Sequence, residues 1–128
     1  MNTSVIILNE ILKRNPEISY FVMDTHFCYT EMSQSHRDRV YRIWGLEPKI
    51  GQSIFEVFEG KKGVINLRSR LKKVLDLQEI ITQIESRHTK NLNTIIFIET
   101  SWIPLIEDGV SVGILCLTKD ISQTIKHT

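Results

Sequence analysis

Long apolar runs are missing from this sequence. Val5 to Leu8, Tyr20 to Met23, Ile95 to Ile98 and Ile114 to Leu117 all fall far short of the roughly 20 residues that cross a bilayer. No segment is therefore expected to span a membrane. Cysteine is scarce as well: Cys28 and Cys116 are the two, too few for a disulfide framework or a thiolate metal centre by themselves. Each sits in a strand-like run, and both are expected to be buried free thiols of a reducing compartment. A surplus of one charge is also lacking, since 16 Lys plus Arg face 15 Asp plus Glu for a net charge of +1. No global field draws the chain to nucleic acid or to an anionic membrane. The amino end places no positive residue before its apolar stretch and has no small-residue cleavage pattern, so a cytoplasmic location is expected. What is present is a 128-residue chain that is 41% hydrophobic and 24% charged, the balance and length of one globular domain.

Turn chemistry at Asn15-Pro16, Gly45 to Gly51, Gly60 to Gly63 and Asp108-Gly109 cuts the chain into five parts. Thr3 or Ser4 can cap a helix whose apolar stripe is Val5, Leu8, Ile11 and Leu12, with Pro16 ending it. Ile18 to Met23 and Phe27 to Thr30 read as a hairpin around Asp24-Thr25-His26. Val40, Ile43 and Trp44 mark a short helix that Gly45 stops, and Ile54 to Phe58 mark another. Val64 to Gln78 is the longest helix, with Val64, Leu67, Leu71, Val74 and Leu75 on one face and Arg68, Arg70, Lys72 and Lys73 read as a solvated basic face. Ile80 to Glu85, Leu92 to Ile103 and Val110 to Asp120 are β-prone, with Asp108-Gly109 supplying hairpin chemistry between the last two. Five strands split by one helical block predict an α+β domain in which helices cover one face of an antiparallel sheet.

Catalytic patterns are absent: there is no G-x-S-x-G, H-E-x-x-H, Walker A or Rossmann glycine run. Asp24 with His26 and His36 with Asp38 are each two apart, a spacing that puts helical side chains on different faces. His26, His88 and His127 read as solvated, whereas His36 stands near the space between helix and sheet. Gly60-Lys61-Lys62-Gly63 followed by basic residues resembles a KH-type clamp in composition, but KH turns join paired helices in another strand order. No nucleic-acid partner is expected.

Several stretches, in order, resemble the PAS sensor family. Asn15-Pro16-Glu17-Ile18 leading to Phe21-Val22-Met23-Asp24 looks like its opening, and Ile50-Gly51-Gln52-Ser53-Ile54-Phe55 looks like its "I-G-x-S" helix start. Trp102-Ile103-Pro104, Asp108-Gly109, Val112-Gly113-Ile114 and Asp120-Ile121-Ser122 are similar to its closing strands. The resemblance covers roughly residues 5 to 122 and is nearest to bacterial sensory boxes placed ahead of histidine kinase or diguanylate cyclase modules. It implies a non-catalytic sensory domain over residues 17–122, an N-terminal helix over 1–16, and the start of a linker to an output domain at 123–128. The family's usual Asn before the first short helix is replaced by Ser35 or Arg37.

The same resemblance bears on cofactors. The Asn-Cys-Arg run of flavin-binding LOV domains is absent, and no His occurs in Val64 to Gln78 to serve as a haem ligand. No flavin or haem is expected, and the cofactor is otherwise unassigned. Pocket candidates are Phe21, Met23, Cys28, Tyr29, His36, Val40, Trp44, Phe55, Phe58, Leu71, Phe97 and Trp102. Val5, Leu8, Ile11 and Leu12 are expected to form a homodimer contact. A ligand-free PAS dimerisation module and a small cavity-bearing α+β enzyme are the alternatives.

Overall fold

A computed structural model of the chain describes residues 10–15, 17–61, 64–89 and 94–122. Residues 10–13 are helical and end in a turn, where the Asn15 side-chain amide donates to the Ile11 carbonyl. The rest of the expected N-terminal helix, with Val5 and Leu8, lies outside the described residues, as do residues 123–128. Two strands follow, β1 (Ile18–Met23) and β2 (Tyr29–Met32), then α1 (Gln34–Trp44), α2 (Ile54–Val57) and α3 (Val64–Leu77). Three longer strands close the chain: β3 (Ile81–Thr89), β4 (Thr94–Glu107) and β5 (Val110–Asp120). The sheet order is β2-β1-β5-β4-β3, and every pairing is antiparallel.

Local chemistry accounts for the boundaries. Ser33 caps α1: its hydroxyl accepts from the His36 amide at 3.2 Å, satisfying a donor that the first turn leaves open. Gly45, at φ 71, closes the same helix by donating its N–H to the Tyr41 carbonyl. Asp108 and Gly109 both have positive φ, 51 and 79, which is what a two-residue type I′ hairpin requires. Gly113 is fixed by close approach instead, since a Cβ there would lie 2.5 Å from the Met23 carbonyl oxygen.

Bounds of three strands differ from the sequence expectation. β2 starts at Tyr29 rather than Phe27, because Asp24 Oδ1 accepts from the His26 and Cys28 amides and the chain turns through Phe27 at φ 64. β3 continues to Thr89. β4 runs through Pro104 to Glu107. Pro104 lies beyond Trp102, the last β4 residue that β3 pairs, so it sits on a locally open strand where its missing N–H removes no ladder bond. Cys116 is buried, while Cys28 is only half-buried; both thiols are free.

The sheet buries two faces. Its inner face sends Phe21, Met23, Trp102, Ile114 and Cys116 against Ile54, Val57, Leu71 and Val74 of the helices. Its outer face carries Tyr20 and Leu115, which pack with Leu12 from the N-terminal turn. No helix among the described residues is long and apolar enough to cross a membrane.

Candidate functional site

A cavity of about 430 Å³ lies between the three helices and the inner face of the sheet, within the size range of small-molecule sites. Strand alternation builds its floor. The register sets Phe21 and Trp102 on either side of Cys116, and Thr100 opposite both Thr118 and Gln83. All six line the cavity, with Ile98 and Glu85 beside them. Helical spacing builds the roof, because His36, Arg39, Val40 and Trp44 recur along one face of α1. Ile54 of α2, then Phe58 and Lys61, and finally Asn66, Leu67 and Arg70 of α3 complete the wall.

His36 is 6% exposed. Its ring lies 4.4 Å from that of Phe21 between centroids, and its Nε2 is 3.4 Å from the Tyr29 hydroxyl. Burial, and after it the charges of Arg39 and Arg37, pulls its pKa down to about 3, so the imidazole is neutral at pH 7. Burial pushes the Tyr29 hydroxyl and the Cys116 thiol the other way, and Cys116 is therefore a thiol rather than a nucleophilic thiolate.

Arg39 donates from Nε to the Ser19 hydroxyl at 3.4 Å. Its Nη1 is buried without a hydrogen-bond partner among the described residues, and so is the indole Nε1 of Trp102. Burial and Arg42 lower the pKa of Arg39 while Asp120 acts against them; the guanidinium remains a cation. Arg39, Lys61 and Arg70 give the lining three cationic side chains against the single carboxylate of Glu85.

The cavity brings together Phe21, His36, Val40, Trp44, Phe58 and Trp102 of the residues expected there. Met23, Tyr29 and Leu71 are instead fully packed core. Phe55 meets Phe27 edge-to-face at 5.5 Å between centroids and lies under the Arg68 guanidinium. Cys28 bridges to Ser53 beside the hairpin, and Phe97 belongs to the opposite side of β4 from Ile98 and Trp102. Of the expected dimer residues, Leu12 is buried in its own chain and Ile11 is 52% exposed.

The polar lining went unforeseen. Arg70, expected on a solvated basic face, lines the cavity, whereas Arg68, Lys72 and Lys73 flank an outward-facing groove. Arg39 could have been read from the sequence, because it stands three residues after His36 and four before Ile43 on the buried side of α1. Neither suspected catalytic pair forms. Asp24 holds the hairpin turn through the His26 and Cys28 amides. Asp38 accepts from Gln34 on the exposed side of α1, away from buried His36.

No family model matches the chain, and no curated protein matches it in sequence. Solved structures do match in fold. The PAS domain of a Colwellia psychrerythraea protein is 19% identical with a TM-score of 0.63, over 91% of this chain and 98% of its own. The PAS domain of Bordetella pertussis BvgS is 14% identical with a TM-score of 0.71, over 98% and 92% respectively. A sensory box sensor histidine kinase from Vibrio cholerae is 15% identical with a TM-score of 0.60, over 91% and 88%.

Proposed function

From the premise that the chain has the PAS-like α+β fold, we propose that it is a sensory module whose cavity binds a small molecule. The observation that carries this reading is the cavity of about 430 Å³ between the sheet and the helices, walled by both apolar and polar side chains. A fully packed core would need no such mixture. The bound state is relayed by population shift: an occupant that prefers one arrangement of helices over the sheet changes how two protomers pack. The signal then passes to an output domain of the histidine kinase or diguanylate cyclase type. The Vibrio cholerae neighbour, a sensor histidine kinase, supports the first of these. The exposed Ile11 supports an N-terminal contact between protomers, and the two free thiols support a cytoplasmic location.

Native mass spectrometry of the freshly purified chain, read beside its denatured mass, tests the proposal. A dimer carrying extra mass is the expected result. A bare dimer would make this a ligand-free dimerisation module, and a bare monomer would overturn both ligand and dimer.

A further inference from the structure

We infer that the cavity takes a small carboxylic acid, with its carboxylate held at Arg39 and Trp102 and its apolar body against Phe21, Trp44 and Ile98. This rests on the cavity being a binding site and adds the chemistry of its occupant. Two buried donors, Arg39 Nη1 and Trp102 Nε1, are unpartnered among the described residues, and both residues line this one cavity. Folded chains rarely leave a buried donor unmet, because its desolvation is then uncompensated. Trp102 is only 7% exposed, and an indole N–H can only donate, so what meets it must be an acceptor.

Charge selects among acceptors. Three cations face the cavity against one carboxylate, Glu85, and His36 is neutral, so an anion is favoured over a neutral molecule. The number of open donors selects among anions. The His36 amide in the first turn of α1 donates to Ser33, and the Phe55 amide of α2 donates to Ser53. Those caps take up one first-turn amide of each helix, while one guanidinium nitrogen and one indole nitrogen offer two donors for the two oxygens of a carboxylate. Phe21, Val40, Trp44, Ile98 and Leu67 supply an apolar wall, which a bare inorganic anion would leave uncovered.

The test is titration of the full chain at pH 7 with phenylacetate and hexanoate, beside phenylacetamide and hexanamide. Tryptophan emission reports occupancy, since Trp44 and Trp102 both line the cavity, and the thermal midpoint is followed in parallel. Both acids are expected to alter emission and raise the midpoint, with the amides at least about tenfold weaker. Arg39→Gln should abolish the preference for acid over amide, Arg39→Lys should keep part of it, and Trp102→Phe should weaken acid binding while Trp44 still reports. Circular dichroism establishes folding, and Arg39→Lys carries the test if Arg39→Gln does not fold. Amides binding as well as acids would overturn the carboxylate and leave the cavity a ligand site. Acid preference surviving in Arg39→Gln would overturn the role of Arg39, and binding by none of the four would overturn both the carboxylate and the ligand-binding cavity.

Discussion

A neutral imidazole buried beside two arginines gives this chain a specific response to acid. His36 has a pKa of about 3 in the folded state, against roughly 6.5 when unfolded. Below pH 6.5 the unfolded chain binds a proton that the folded chain refuses, so stability falls as pH drops from 6.5 toward 3 and is flat above it with respect to this group. Between pH 7 and pH 5 the loss from His36 should be about 2 kcal/mol. Urea unfolding at the two pH values measures it, and His36→Gln should shrink the difference between them even if it lowers stability at both. The histidine was legible from the sequence because it falls on the same helical face as Val40 and Ile43. Lys61, Arg70, Gln83 and Glu85 were not, since long polar side chains ordinarily signal solvent and only tertiary placement turns them toward a cavity.

At the scale of elements, one hydroxyl joins a helix to a strand. Ser33 Oγ accepts from the Tyr20 amide of β1 at 3.0 Å and from the His36 amide of α1 at 3.2 Å. The Ser33 amide in turn donates to the Tyr20 carbonyl at 2.9 Å. Ser33→Ala removes a cap and a strand tie together, and should cost about 1 to 2 kcal/mol in chemical unfolding. A cost within a few tenths would show that water replaces both bonds. Element order was readable because each strand is β-prone and each break carries turn residues, with Asp108-Gly109 the plainest case. Strand ends were less so: the open edge of β4 at Pro104 depends on where β3 begins, and the late start of β2 depends on the side chain of Asp24. Neither is a property of the local sequence.

For the molecule as a whole, the outer face of the sheet matters as much as the inner. Leu12 is 5% exposed and packs on Tyr20 and Leu115, while its neighbour Ile11 is 52% exposed. Leu12→Ala should therefore destabilise the single chain by about 2 to 3 kcal/mol. Ile11→Ala should change its stability by less than about 0.5 kcal/mol and, under the proposed N-terminal contact between protomers, weaken dimer association measured by sedimentation. Equal effects of the two on unfolding would contradict this division. Tyr20 and Phe21 are consecutive in β1, yet one meets Leu12 and the other walls the cavity. The strand is thus a partition between the seated N-terminal turn and the proposed ligand site, and thermodynamic linkage makes any influence between them mutual. Whatever factor an occupant of the proposed ligand site imposes on seating the N-terminal turn, seating that turn imposes the same factor on the occupant, so ligand affinity measured with and without the amino end reads the coupling across the sheet directly.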